Sequence, residues 1–196
     1  MHATDLHNNK FACDWLIENQ KKADVVCLTG DFLDTRTNAP DSLSVQVNFF
    51  LSWFDSFSIP LFVCSGNHDI LFDNGLWLSN DDTHSVHFDN SITSIDGIKF
   101  GCVPYGANLE PFANCDVLLH HEPPSGSKTA KQNGTDFGSL TLRHALKTKV
   151  LNPSYILCGH VHKPLSSAVK IGGCVVVNAG GIHSDKQPSH AMIEVL

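Results

Sequence analysis

Five short polar stretches carry the residues of this chain that could do chemistry: Asp5-Leu6-His7, Gly30-Asp31-Phe32-Leu33-Asp34, Gly66-Asn67-His68-Asp69, His120-His121 and Gly159-His160-Val161-His162. Carboxylates, an amide oxygen and imidazoles make a mixed oxygen and nitrogen donor set, suited to manganese, iron or zinc and poorly suited to copper(I) or calcium. Asp5, His7, Asp31, Asn67, one of His120 or His121, His160 and His162 are seven candidate ligands, more than one catalytic ion uses. Two divalent transition-metal ions are therefore expected, with a carboxylate such as Asp31 shared between them. Any one stretch alone is usually a turn, and short motifs often match by chance. Five of them in one chain are harder to dismiss.

Four of the five directly follow a short apolar or β-branched run, and open α/β sheets place ligand sites at the carboxyl ends of strands. One strand edge could gather them all. Gly30 and Gly66 lack the side chain that would oppose a sharp turn or a close backbone approach just before Asp31 and Asn67. The spacing predicts a strand over 1–4, a helix over 10–22 with Phe11, Trp15 and Leu16 inward, and a strand over 24–29. Pro40 and Asp41-Ser42 introduce a helix over 43–54, which breaks before Pro60 and a strand over 61–65. This β-α-β-α-β order is that of a parallel sheet with right-handed crossovers. Residues 70–90, with Asp73, Trp77, Asp81, Asp82, His84 and His87, show no clear period and are expected to form a long surface excursion ending in a strand. A hairpin over 91–103 turning at Asp96-Gly97 introduces antiparallel pairing. A strand over 116–119, a loop over 123–134, a helix over 139–149 and a strand over 154–158 follow. A hairpin of 166–171 with 174–178 across Gly172-Gly173 and a closing strand over 191–196 complete the chain.

At 196 residues the chain fits a single domain, 1–196, able to bury a core without disulfides. Hydrophobic residues at 42% and charged residues at 17% are ordinary for a globular protein. No apolar run approaches the ~18 residues needed to cross a bilayer. The N-terminal residues show no signal-peptide pattern, so no membrane association and a cytoplasmic location are expected. Seven cysteines are an odd number without a C-x-x-C pair, and Cys27, Cys64, Cys158 and Cys174 lie in strand-like runs as reduced core residues. The net charge of −7 would repel a phosphate-bearing substrate, and bound divalent cations would reverse that sign locally.

In this order the five stretches resemble the calcineurin-like metallophosphoesterase superfamily, whose pattern runs D-x-H, G-D-x-x-D, G-N-H-D/E, a histidine region and G-H-x-H. The resemblance runs from Asp5 to His162 and, through the closing strands, over nearly the whole chain. It implies an α/β fold, a four-layer αββα sandwich of two mixed β-sheets flanked by helices, with a bimetal site at the strand ends. It implies one metal held by Asp5, His7, Asp31 and His162, and a second held by Asp31, Asn67, His120 and His160, with a hydroxide between the ions as nucleophile. His68 would be catalytic, stabilising phosphoryl oxygens or protonating the leaving alkoxide, and Asp34 would accept its other N–H and fix the ring. His120 comes first off its strand and holds the position that ligates in relatives with a His-His-x-Pro-Pro stretch. His121 then reaches toward substrate or is a solvated loop residue. His84, His87, His144, His183 and His190 fit no motif and are read as ordinary surface or core histidines. Thr35-Arg36-Thr37 follow Asp34 where the protein serine/threonine phosphatases of the superfamily continue with Arg-Gly, which sets that branch aside. The first strand is short, which implies a looser site at Asp5.

The leading expectation is a metal-dependent phosphoesterase that hydrolyses small phosphodiesters, with phosphomonoesters as a side activity and manganese as the expected ion, iron or zinc as alternatives. Gly-Asp-Phe-Leu-Asp-Thr and Gly-His-Val-His-Lys-Pro also look like the DNA-repair exonucleases of the superfamily, so a nuclease acting on short or single strands is the second reading. The lack of a Lys/Arg cluster argues against long duplex nucleic acid as a partner. A non-catalytic scaffold retaining the fold is the third reading. Intact ligand positions and His68 argue against it.

Overall fold

The computed structural model describes residues 1–79, 85–182 and 187–195. Asp81, Asp82, His84, His183 and the last residue of the expected closing strand lie outside the described residues. The strands are β1 (His2–Ala3), β2 (Val26–Thr29), β3 (Leu61–Cys64), β4 (Val86–His87), β5 (Ile92–Ile95), β6 (Ile98–Cys102), β7 (Val117–Leu119), β8 (Lys131–Gln132), β9 (Thr135–Asp136), β10 (Tyr155–Cys158), β11 (Ala168–Ile171), β12 (Cys174–Asn178) and β13 (His190–Ala191). The helices are α1 (Lys10–Asn19), α2 (Leu43–Phe54) and α3 (Leu140–Thr148). One sheet has the order β13-β1-β2-β3-β4, the other β11-β12-β10-β7-β6-β5, and β8-β9 form a small hairpin. β1, β2, β3 and β4 run parallel, as do β6, β7, β10 and β12, while β13, β5 and β11 add antiparallel edges.

Period-two alternation along the strands sorts their side chains into three apolar layers. Val26, Leu28, Leu61 and Val63 face α1 and α2, where they meet Leu16, Phe50 and Phe54. Cys27, Phe62 and Cys64 face the opposite way, onto Phe100, Cys102, Val117, Leu119 and Leu157 of the second sheet. Leu118, Ile156, Cys158 and Val176 look outward again, under Leu142 and Ala145 of α3. The result is helix, sheet, sheet, helix: the expected αββα arrangement. All seven cysteines are buried and free, packed as small hydrophobes.

The helix ends follow ordinary capping chemistry. Asn9 Oδ1 accepts from the Ala12 amide at the start of α1, and Ser139 Oγ accepts from Leu142 at the start of α3. Ala12, Cys13 and Leu16 are the buried residues of α1 and Trp15 packs partly against the core, so of the expected inward residues only Phe11, 68% exposed, faces out. At the hairpin joining β5 and β6, Asp96 (φ 50°) and Gly97 (φ 84°) both occupy the left-handed region that a two-residue turn demands. The described part of the excursion after β3 contains two short 3-10 segments, Asp69–Leu71 and Asp73–Leu78, and β4, which pairs with β3. The closing strand is His190–Ala191 against β1, and residues 192–195 lie outside any strand. Among the described residues no helix is long and apolar enough to cross a membrane.

Candidate metal centre

The five polar stretches leave the carboxyl ends of β1, β2, β3, β7 and β10. The first three belong to one sheet and the last two to the other, so two facing sheet edges gather them rather than one. Main-chain bonds continue the pairing past the strand ends: Asp5 N–H donates to Gly30 O and His7 N–H to Asp31 O, each at 2.9 Å, and Gly159 N–H donates to His121 O at 2.8 Å. The His160 amide crosses between the sheets to Asp5 Oδ2 at 2.9 Å. Such close approach explains two glycines. A Cβ at Gly66 would strike the Asp31 carboxylate, and one at Gly159 would strike the side chains of Thr4 and Asp5. Asp5 (φ 54°), His7 (φ 42°), Asp31 (φ 55°) and His160 (φ 66°) all hold left-handed backbone, a strain of about 1–3 kcal/mol each that the surrounding bonds must offset.

Each carboxylate is used on two sides. Asp5 Oδ2 accepts from Thr4 Oγ1 and the His160 amide, and its Oδ1 lies 3.2 Å from His162 Nε2 and 4.0 Å from His7 Nε2. Asp31 Oδ1 accepts the His68 amide at 2.8 Å, and its Oδ2 lies 3.3 Å from His121 Nε2, 3.8 Å from His68 Nε2 and 4.0 Å from His7 Nε2. Asn67 Oδ1 is 3.1 Å from His121 Nε2 and 2.9 Å from His160 Nδ1. Donor atoms within 4.8 Å of one another thus fall into overlapping groups: Asp5, His7 and His162; His7, Asp31 and His68; Asp31, His121 and His160. The far ring nitrogens are anchored, His7 Nδ1 donating to Leu33 O and His121 Nδ1 to Thr29 O, which aims each Nε2 at the cluster.

The structure brings Asp5, His7, Asp31, Asn67, His160 and His162 together. His120 is not among them. The His120 amide still pairs with Leu157 O as strand, so its side chain continues the outward phase of Leu118, and its Nδ1 donates to Glu122 O at 2.7 Å. His121 carries the inward phase of Val117 and Leu119, and the candidate ligand is His121 in place of His120. A second correction concerns His68. Asp34 does not take its ring; the Asp34 carboxylate is held by Arg36, and Thr35 Oγ1 lies 2.5 Å from His68 Nδ1.

Two residues that shape the site had no role in the sequence reading. Buried Asp69 accepts the amides of Asp31, Phe32, Leu33 and Gly66, tying the loops after β2 and β3 into one body. Its place as the fourth residue of Gly-Asn-His-Asp was the available signal. Buried Asn178, at the end of β12, donates to the carbonyls of Gly159, Val161 and Thr129 and accepts the Gly180 amide, so it shapes the loop carrying His160 and His162. Nothing in the sequence marked it. On α2, Gln46 bonds both the N–H and the C=O of Asp34, docking that loop on a rigid helix.

The electrostatics of the site call for a cation. Burial opposes charge on His121, but the carboxylates of Asp31 and Asp5 outweigh it and push its pKa up to about 10. Burial likewise opposes ionisation of Asp31, and His121 holds it below the usual carboxylate range. Burial lowers His160 to about 4, whereas a hydrogen bond with Asp5 raises His162. His121 thus faces acceptors through both nitrogens, Thr29 O on one side and Asn67 Oδ1 and Asp31 Oδ2 on the other. Either a proton or a metal ion must sit on its Nε2, and a divalent ion shared with Asp31, Asn67 and His160 satisfies all four. The residues present fit two hard or borderline divalent ions.

Two facing mixed sheets thus carry a histidine and carboxylate cluster across their adjoining edges, with donor groups that could hold metal ions. Residues 1–164 match the family model of the calcineurin-like phosphoesterases, and the chain belongs to that family. A purple acid phosphatase from yellow lupin (Lupinus luteus) superposes with a TM-score of 0.57 at 14% identity, over 99% of this chain and 45% of that one. GAP50, described as the anchor in the inner membrane complex of Plasmodium, gives a TM-score of 0.56 at 10% identity over 92% and 70%. The Escherichia coli phosphoesterase YfcE gives 0.47 at 17% identity over 92% and 78%. The first two establish likeness of fold; the chain spans less than half the length of the lupin enzyme. No curated protein sequence matches the chain significantly.

Proposed function

We propose that this chain hydrolyses small phosphodiesters, and phosphomonoesters more slowly, with two divalent transition ions, manganese being the best suited to the donor set. The observation that carries this reading is Asp31, whose Oδ2 lies within 4.0 Å of His7, His68 and His121 and so is shared between two donor groups. Asp5, His7, Asp31 and His162 would hold one ion, and Asp31, Asn67, His121 and His160 the other. When bound, such ions would offset phosphate charge and lower the pKa of a coordinated water.

The protein's own part is positioning and proton handling. Anchoring of His7 and His121 through Nδ1 keeps both rings aimed at the cluster without reorganisation. His68 is held through its amide by Asp31 and packs edge-on to His7 with ring centroids 4.8 Å apart. With Thr35 against Nδ1, its Nε2 is left to donate to a phosphoryl oxygen or to the leaving alkoxide. An open cavity of about 530 Å³ lined by His7, His68 and His162 gives a substrate room to approach. The free, buried thiols suit a reducing, cytoplasmic setting.

The test is turnover of bis(p-nitrophenyl) phosphate, p-nitrophenyl phosphate and single-stranded oligonucleotides by manganese-loaded protein before and after chelation. Diester hydrolysis that chelation abolishes is expected. A protein holding two ions that turns over none of the panel would overturn the reading, and activity on oligonucleotides alone would favour a nuclease.

A further inference from the structure

The cavity in front of the cluster contains one permanent cation. Among the residues that line it, Arg36 alone bears a positive charge independent of pH near neutrality, and Asp34 beside it bears a negative one. Nearby Lys10 is engaged elsewhere, with its Nζ 3.1 Å from the centroid of the Phe49 ring. Arg36 is also held in one pose. Its Nε and Nη2 bond Asp34 Oδ1 and Oδ2 at 2.8 and 2.7 Å, and its amide bonds Asp34 Oδ1 at 3.1 Å. Asp34 is fixed in turn through its main chain by Gln46 of α2. The Asp34 side chain is 4% exposed while that of Arg36 is 73% exposed, so a buried carboxylate orients a guanidinium that faces solvent. A guanidinium has five N–H donors, and a two-pronged bond to one carboxylate leaves the others on the open side, in the fork geometry that matches an oxyanion. Asp34 offsets the charge of Arg36, so what the exposed guanidinium offers an oxyanion is a set of directed N–H donors held in a fixed pose.

We propose that Arg36 is a specificity-determining residue that binds a second phosphate group on the substrate, so that phosphodiesters bearing an extra phosphomonoester near the scissile group are preferred. This rests on the phosphodiesterase reading. Because the second phosphate takes no part in bond breaking, Arg36 should act on KM more than on kcat.

The experiment compares the p-nitrophenyl ester of thymidine 5′-phosphate with the same ester carrying a 3′-phosphate, in the manganese-loaded wild type, Arg36→Gln and Arg36→Lys. The wild type should show a KM lower by roughly 10- to 100-fold for the 3′-phosphorylated ester, the usual size of a charge-assisted contact. Arg36→Gln should abolish that preference and Arg36→Lys should keep part of it. A wild type without the preference, or an Arg36→Gln protein that retains it, would overturn the proposal. Calorimetric titration with thymidine 3′,5′-bisphosphate and thymidine 5′-monophosphate decides the matter even if neither ester is hydrolysed. Tighter binding of the bisphosphate by wild type but not by Arg36→Gln supports the proposal, and equal affinities in the wild type refute it. Failure of turnover with the binding difference intact would count against the phosphodiesterase reading alone.

Discussion

At the residue scale, strand phase separates His120 from His121. Val117, Leu119 and His121 share the face toward the other sheet, while Leu118 and His120 share the opposite one. Replacing His121 with alanine should therefore cost the site held by Asp31, Asn67 and His160 and leave about one ion per chain. His120→Ala should keep both ions and show only a lowered melting temperature from its lost buried contacts. Elemental analysis of the two variants separates them; full occupancy in His121→Ala would return the role to His120. His68 differs in kind from these ligands. His68→Ala should retain its metal and lose roughly 10²–10⁴-fold in kcat, as expected for a positioned proton donor. The loss should be greater for an alkyl diester than for an aryl one, whose leaving group needs little protonation. Metal content and kcat on both substrates test this, and a metal-depleted variant would make His68 a ligand.

At the element scale, the site is a set of loops pinned to each other rather than to their own strands. Asp69 is the main pin, gathering four amides from the loops after β2 and β3. Without it those buried N–H groups have no acceptor, and each unsatisfied donor costs about 1–3 kcal/mol. Asp69→Ala should thus be more destabilising than a typical surface change by at least ~2 kcal/mol and should lose both ions, since Asp31 and Asn67 sit in the loops it joins. Urea denaturation with metal analysis checks this; a variant of wild-type stability would refute the role. Other elements were plainer from the start. The hairpins at Asp96-Gly97 and Gly172-Gly173 were legible because local turn chemistry alone selects them. A strand ending the excursion and a closing strand over 191–196 were also expected, but β4 and β13 are two residues each, too short to display a period, and the open edges of β3 and β1 set where they pair.

At the scale of the whole molecule, the cluster closes a seam between two sheets. Asp5, His7, Asp31 and Asn67 come from one sheet edge and His121, His160 and His162 from the other, so bound ions would clamp the sandwich. Metal should raise the melting temperature, because it binds only the folded arrangement. The gain should depend on pH. His121 has its pKa raised from 6.5 to about 10 in the metal-free fold, so its proton stabilises that fold fully below about pH 6.5, and the contribution is lost as pH rises through 10. Metal must displace that proton, so metal affinity should rise with pH. Thermal melts of chelated and manganese-loaded protein between pH 6.5 and 9 should diverge as pH increases; a constant or shrinking gap would contradict the charge assigned to His121.

The sequence by itself determined the donor types, their order along the chain, and the strands and helices that carry them. Those follow from residue chemistry and from periods of two and 3.6, which are local properties. The layered sandwich was legible only through resemblance, since a continuous apolar run shows that a strand is buried on both faces but not what covers each. Tertiary structure decided that two sheet edges, not one, surround the site, that His121 rather than His120 points into it, and that Thr35 rather than Asp34 meets His68. In the last two cases side chains of suitable chemistry lay next to each other in the chain. The choice between them was made by strand phase against a second sheet and by a competing partner, Arg36 for Asp34 and Glu122 O for His120. Contacts of that kind join elements far apart in the chain, and no local pattern encodes them.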